Sequence, residues 1–210
     1  TKAIMLVHYA GACGDLEAVY AFAQKLGLRV VEDAAHAFGT IHDGRKMGAI
    51  GDIVCFSFDG IKNITSGEGG AVVSRDREVL QRVRDARLLG VENDSERRYR
   101  QQRSWDFDVQ DQGWRYHMSD IMAAIGRAQL KRFETELKPR RIALARRYRE
   151  KLAGIKQVRI FEAEFPAVVP HIQPIRILEG MRDEVWSALE SGGIQVGLHY
   201  KPNHLLKRFG

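Results

Sequence analysis

Cys55-Phe56-Ser57-Phe58-Asp59-Gly60-Ile61-Lys62-Asn63-Ile64-Thr65-Ser66-Gly67-Glu68-Gly69-Gly70 is the stretch on which the reading of the fold turns. It continues the apolar run Ile53-Val54 and predicts a buried strand over residues 52–58. The glycines at 67, 69 and 70 make a bend, and Ala71-Val72-Val73 predicts a further strand over 70–74. Ser57 and Lys62 lie between strand and bend. A lysine in a loop that follows a buried strand is partly desolvated, which lowers its pKa and leaves a nucleophilic amine suited to imine chemistry. A serine at a strand end can donate to a phosphate. Against this stands the plainer reading of Lys62 as a solvated loop cation and Ser57 as a turn former, which the stretch alone leaves equally open.

Toward the N-terminus, Ala3-Ile4-Met5-Leu6-Val7 predicts a buried strand within residues 1–9. Asp15 is placed to cap a helix whose Leu16, Val19, Tyr20 and Ala23 recur on one face, ending near Gly27. Residues 28–31 then predict a second strand that delivers Glu32 and Asp33 to its C-terminal end. Strand, helix and strand within about thirty residues form a right-handed βαβ unit, so the sheet is expected to be parallel there. Asp33 falls where open α/β sheets bind ligands. Ala34-Ala35-His36 follows it, small residues that permit close approach and a second polar group. A lone Asp at this place also reads as a cap or loop carboxylate.

Toward the C-terminus, a helix is predicted over residues 77–89. Residues 90–114 sustain no period, and Trp105, Phe107 and Trp114 punctuate them. A loop of that length argues for a binding site or subunit contact. Ser119 is placed to cap a helix, and Pro139 marks a break or the first turn of a further helix through 152. Pro166, Pro170 and Pro174 mark a change of character. After them a strand near 175–178, a helix near 182–191 and a strand over 194–199 predict part of a second, smaller domain.

The 210 residues are 44% hydrophobic and 29% charged, the balance of a globular protein able to bury a core. No apolar run reaches the roughly 20 residues of a membrane span, and no secretory signal opens the chain, so a cytoplasmic protein without a membrane partner is expected. Cys13 and Cys55 have neither CxxC spacing nor a histidine cluster, which argues against a disulfide framework or a metal site. The net charge of +6 allows an anionic partner. Its arginines concentrate in residues 97–103 and 138–151, and the second run reads best as a solvated helix face. No helix-turn-helix, RRM or zinc pattern is present, so nucleic acid is not the expected partner.

Taken together, Val30-Val31-Glu32-Asp33-Ala34-Ala35-His36, Gly51-Asp52-Ile53-Val54-Cys55-Phe56-Ser57-Phe58, Lys62-Asn63 and Gly67-Glu68-Gly69-Gly70-Ala71-Val72-Val73 closely resemble, in order and spacing, the DegT/DnrJ/EryC1/StrS family of sugar aminotransferases. Met118-Ser119-Asp120-Ile121-Met122-Ala123-Ala124-Ile125 and Gly197-Leu198-His199-Tyr200-Lys201-Pro202 resemble it too. The resemblance implies the aspartate-aminotransferase-like α/β fold, pyridoxal-phosphate fold type I. Its large domain, with a mostly parallel sheet, would occupy residues 1–153, and the start of a small C-terminal α/β domain residues 154–210. Family members run to nearly twice this length, so a fragment of the full fold is expected, without the usual N-terminal cofactor-phosphate turn and ring-stacking aromatic.

By that resemblance Lys62 holds pyridoxal 5′-phosphate as an imine, Asp33 pairs with the protonated pyridine nitrogen, and His36 lies by the ring or its phenolic oxygen. Ser57 contacts the cofactor phosphate. Relatives add an Asn from the neighbouring subunit of a homodimer, and Arg115 stands in that segment here. His199 and Tyr200 fall near the sugar and the mouth of the site. The implied reaction moves an amino group from an amino acid, glutamate foremost, to a keto group on a nucleotide-linked deoxyhexose, and residues 97–103 would suit the diphosphate. Two rivals share the fold. A related sugar dehydratase replaces the lysine by histidine, against which Lys62 stands, and a regulatory member would keep the fold without catalysis.

Overall fold

Residues 30–33 show how the sheet is anchored. In a strand, alternate side chains face opposite sides. Val30 and Glu32 of β2 (Arg29–Asp33) are buried beneath helix α1 (Leu16–Lys25), and Val31 and Asp33 are half-buried on the other side. β1 (Ala3–Val7) pairs parallel with β2. After the short hairpin of β3 (Ile41–His42) and β4 (Arg45–Lys46), β5 (Ile53–Ser57) pairs parallel with the other side of β2. β6 (Gly70–Ser74) closes the order β1-β2-β5-β6 as the antiparallel member. The sheet is therefore mixed and mostly parallel. The computed structural model describes residues 1–92, 100–102, 107–109 and 111–209, so most of the arginine-rich stretch 97–103, and Trp105, lie outside the described residues.

β1 departs from the fully buried strand expected of its composition. Met5 is 69% exposed, because β1 stands at the sheet edge and nothing described covers that face. On the opposite face Leu16, Ala34, Ala37, Met47 and Val54 form one core, with Leu6, Tyr20 and Phe56 packed against it. A second core of Ile64, Phe133 and Val169 takes in Phe38, Phe58 and Leu137. Phe38 joins them: its ring meets those of Phe56, Phe58 and Phe133 edge-on at 5.7, 5.8 and 5.1 Å, the arrangement that aromatic quadrupoles favour.

The helix starts follow local chemistry. Asp15 accepts the Ala18 N–H at 2.9 Å and caps α1; Asp76 accepts from Glu78 and Val79 and caps α2 (Arg77–Ala86); Ser119 accepts from Met122 and caps α3 (Asp120–Arg132). No break occurs near Pro139. Instead α3 widens into a π-helical turn, Phe133–Leu137, and runs on as α4 (Lys138–Leu152). Proline has no N–H and its ring crowds the carbonyl four residues back. The wide turn, in which Lys138 N–H reaches the Phe133 carbonyl five residues back, lets the helix pass Pro139.

The chain divides into two units. Thr1–Tyr148 and Glu162–Gln173 form the first, and Arg149–Phe161 and Pro174–Gly210 the second. Residues 162–173 thus pack with the large unit although they follow 154 in sequence. The second unit holds an antiparallel pair, β7 (Val158–Ile160) and β8 (Ile175–Ile177), followed by α5 (Arg182–Ser191). The strand expected over 194–199 does not form. A strand needs a ladder partner, and β8 takes its partner from 158–160 instead.

One buried polar chain ties β1, α1, β2 and the approach to β5 together. His8 Nε2 lies 2.8 Å from Glu32 Oε2, and the Tyr20 hydroxyl donates to Glu32 Oε1 at 2.6 Å while accepting the Asp52 N–H at 2.8 Å. His8 and Glu32 are fully buried. A buried carboxyl group is tolerated there because both its oxygens are hydrogen-bonded. Among the described residues His8 Nδ1 meets no partner, so the hydrogen bond to Glu32 is the one the ring makes. Burial and the neighbouring Glu32 push the Tyr20 phenol well above its ordinary value. At the end of the chain Arg29 grips Asp52 through both oxygens, at 2.7 and 2.6 Å, and holds that carboxyl below its usual range.

Tyr20→Phe removes a donor from a buried carboxylate and an acceptor from a backbone N–H, and should lower unfolding stability by about 1–3 kcal/mol in urea titrations. The Arg29–Asp52 pair is half in water, so Asp52→Asn should cost only about 0.5–1 kcal/mol at neutral pH. Because the folded-state pKa of Asp52 is depressed, its contribution is present above the ordinary carboxylate value and lost as pH falls through the folded one. The difference between wild type and Asp52→Asn should therefore vanish in acid, as measured by unfolding midpoints across pH.

Candidate active site

Val7, Asp33 and Cys55 share one register, where β1 and β2 end, and β5 runs two residues further to Ser57. Everything that follows each strand emerges at the same carboxyl edge, where open α/β sheets bind their ligands. Asp33 is half-buried there, with Oδ1 accepting the Ala35 N–H at 3.0 Å. Among the described residues no donor meets its second oxygen. Ala34 N–H extends the ladder to the Cys55 carbonyl at 2.8 Å, so Asp33 stands on regular sheet to its last atom.

His36 is buried, and its Nδ1 accepts the Ala10 N–H at 3.3 Å. That bond assigns the ring proton to Nε2. The ring lies 4.2 Å from the ring of His171, whose N–H donates to the Ala10 carbonyl at 3.2 Å. Next to Ala10, Gly11 has φ +96, and a Cβ at that position would overlap the Val169 carbonyl. Only glycine meets both demands. Thr40 completes the clasp, donating to Gly11 O at 2.9 Å and accepting Val169 N–H at 3.1 Å. The segments following β1 and β2 are thereby sewn to residues 169–171.

Lys62 stands in the loop after β5. Its N–H donates to the Asp59 carbonyl at 3.1 Å, and the Asp59 carboxylate turns the loop by accepting Ile61 N–H, an Asx turn. Ser66 N–H and the Thr65 hydroxyl both return to the Phe58 carbonyl. Asn63, 2% exposed, donates to the carbonyls of Phe38 and Val169 at 3.1 and 3.4 Å. Arg141 of α4 donates to the Lys62 carbonyl at 3.0 Å. The Lys62 side chain is half-buried, and among the described residues its ammonium has no carboxylate partner. Ser57 ends β5, its Oγ accepting the Asp59 N–H at 3.4 Å, which leaves the hydroxyl proton free to donate.

The structure therefore brings Asp33, His36, Ser57 and Lys62 to one sheet edge. Arg115 stands apart from them: it is exposed and lines a cavity of about 910 Å³ with Arg84, Arg87 and Gly70, which none of those four lines. His199 and Tyr200 lie in the second unit, both exposed, with rings 4.7 Å apart. Among the described residues no cluster of three metal-ligating side chains occurs and no helix is long and apolar enough to cross a membrane. Sequence reasoning passed over Arg141, His171 and Thr40. Arg141 was taken for part of a solvated helix face, yet it sits four residues before Ala145, which is buried beside Ile142 on α4. That placement puts it next to the buried side of the helix, but exposed Arg146 and Arg149 lie four residues from Ile142 and Ala145 as well, so helical spacing alone does not single it out.

All 210 residues match the model of the DegT/DnrJ/EryC1/StrS aminotransferase family. An uncharacterised protein of Methanocaldococcus jannaschii, MJ1066, is 35% identical over 98% of this chain and 54% of its own length. Among solved structures, Helicobacter pylori PseC, an aminotransferase involved in the biosynthesis of pseudoaminic acid, superimposes over the whole chain and 55% of its own, with a TM-score of 0.88 and 26% identity. S. venezuelae DesV, solved with a ketimine intermediate, gives a TM-score of 0.83 and 32% identity over the whole chain and 53% of its own. The chain thus spans about half the length of the relatives it matches. With a mostly parallel sheet and a match to the family model over its full extent, the chain belongs to the DegT/DnrJ/EryC1/StrS aminotransferase family.

Proposed function

We propose that the protein is a pyridoxal-phosphate-dependent aminotransferase that converts a keto group on a nucleotide-linked deoxyhexose into an amine, with glutamate as amino donor. The observation that carries this reading is Lys62, a half-buried lysine on a hydrogen-bonded loop at the same sheet edge as Asp33. The donor set suits the cofactor. Asp33 offers an open carboxylate oxygen to a ring cation, Lys62 an amine free of any ion pair among the described residues, and Ser57 a hydroxyl proton to a phosphate.

Pyridoxal phosphate, when bound, supplies a carbonyl that takes up amino groups and a cationic ring that accepts the electrons released at Cα. Asp33 holds the proton on the ring nitrogen, and its ladder-bound backbone keeps that carboxylate from following the ligand. Lys62 would hold the cofactor through its amine and, when that amine is free, would carry the proton at the donor Cα. His36, with Nδ1 engaged by Ala10, presents Nε2–H as a donor at the ring or its phenolic oxygen. Ser57 donates to the phosphate, and Arg115 adds a charge-assisted contact from the neighbouring subunit. His199 and Tyr200 meet the sugar. The cofactor would carry the nitrogen between the two substrates, the donor leaving as a keto acid and the sugar gaining the amine, with Lys62 serving the proton in each half. The reading carries with it a cytoplasmic homodimer with shared sites.

Two variants of the whole protein test the assignments. Lys62→Ala should abolish borohydride-trapped cofactor, read by mass, and lower transamination by roughly 10²–10⁴-fold. Uptake of trapped cofactor by the variant would remove Lys62 from its role. Asp33→Asn should still capture cofactor but turn over at least about 100-fold more slowly, and unchanged turnover would count against the pairing with the ring nitrogen. A panel of keto nucleotide sugars, analysed for amino-sugar products, identifies the substrate and the carbon aminated.

A further inference from the structure

Arg141 reaches the lysine loop from the long helix α4. Its guanidinium donates to three backbone carbonyls: Lys62 at 3.0 Å, His171 at 3.2 Å and Pro170 at 3.4 Å. These belong to two segments distant in sequence, the loop after β5 and residues 162–173 of the same unit. Among the described residues it engages no carboxylate. Burial alone acts on the guanidinium and pulls its pKa below the ordinary arginine value. A half-buried cation without an anion is an unfavourable arrangement unless its donors are all aimed at acceptors, and a solvated helix face would have no use for one.

What the three bonds accomplish follows from where they act. A lysine side chain has four flexible methylenes, so the position of its amine is set by its Cα and by whatever grips its far end. Asp59 and Ser66 define the shape of the loop, but those contacts lie within the loop or at its base in β5. Together with Asn63, which reaches Phe38 and Val169, Arg141 fixes where that shape sits relative to the rest of the unit. Arg141 also holds the carbonyl of His171, the residue whose ring lies against His36. One planar donor fork therefore sets the lysine and the histidine side of the site with respect to each other.

We propose that Arg141 is the positioning residue of Lys62: its guanidinium fan registers the lysine loop against residues 170–171 so that the Lys62 amine meets the cofactor carbonyl. The inference rests on the assignment of Lys62 above. It concerns geometry, so charge alone does not fulfil it. A lysine at 141 keeps the cation but replaces the rigid fork by a single mobile ammonium that cannot span three carbonyls.

The test uses Arg141→Met and the milder Arg141→Lys in the full protein, with two probes. Pyridoxamine phosphate has no carbonyl and binds without Lys62. Pyridoxal phosphate followed by borohydride reports capture on Lys62 by mass. Misplacement of a reacting group by about 1 Å is worth about 100-fold. The capture rate should accordingly fall at least about tenfold in both variants, while affinity for pyridoxamine phosphate stays within about threefold of wild type. Capture at the wild-type rate in Arg141→Lys would overturn the inference, because charge alone would then suffice. So would equal losses for the two probes, which would mark a general loosening of the fold. Absence of capture in the wild type would instead overturn the assignment of Lys62, and this inference with it.

Discussion

Backbone carbonyls at the carboxyl edge of a parallel sheet have run out of ladder partners, and the loops that emerge there cannot all pair with one another. Each such group, once buried, needs a donor. In this protein the donors are side chains. Thr40 meets Gly11, Asn63 meets Phe38 and Val169, Thr65 meets Phe58, and Arg141 meets Lys62, Pro170 and His171. The residues proposed for chemistry are carried on this lacing. A loop held only by its own turns would leave the site at the low-stability end of the fold, whereas here every loop at the edge is tied to a neighbour.

The two acidic residues of β2 show a division of roles that comes from the pleat itself. Glu32 faces the core, where His8 and Tyr20 satisfy both oxygens. Asp33 faces the other way, with one oxygen spent on Ala35 and the other open among the described residues. Neighbouring positions on a strand cannot share a face. A Glu-Asp pair at the end of β2 therefore delivers one carboxylate to structure and one to the ligand edge, and the first holds the strand that presents the second. Tyr20 extends this support to Asp52 at the approach to β5, so the strand carrying Ser57 shares the same anchor.

The large unit was legible in the sequence because its signals are local. Apolar runs bounded by glycine and acidic residues marked β2 and β5, and Asp15 and Ser119 act as the caps their positions announced. What escaped depends on contacts across long separations. Whether Ile175–Ile177 and residues 194–199 become strands is decided by which segment reaches a partner, and β7 was available only to the first. Pro139 was read as a break or the first turn of a further helix, and the second holds because the helix widens just before it, at Phe133–Leu137. Arg141 was hidden by its neighbours. In a run with Arg140, Arg146, Arg147 and Arg149, composition describes a solvated face, and only the carbonyls of Lys62, Pro170 and His171, distant in sequence, set the half-buried Arg141 apart.

A rigid base beneath a flexible side chain is an arrangement with a purpose when a group must bond, release and act again. In its proposed role Lys62 would have to be placed well enough to reach a carbonyl and yet be free to leave it and take up a proton, and these demands conflict if both fall on the same atoms. Here they are separated. The hydrogen bonds fall on the Lys62 N–H and C=O, and the four methylenes and the amine remain unpaired among the described residues. Fixing the side chain by a carboxylate would hold the ammonium charged and remove the nucleophile. Fixing the main chain by a guanidinium, three bonds broad and anchored on α4, places the residue without engaging its amine. Placement therefore falls on the main chain and mobility on the side chain.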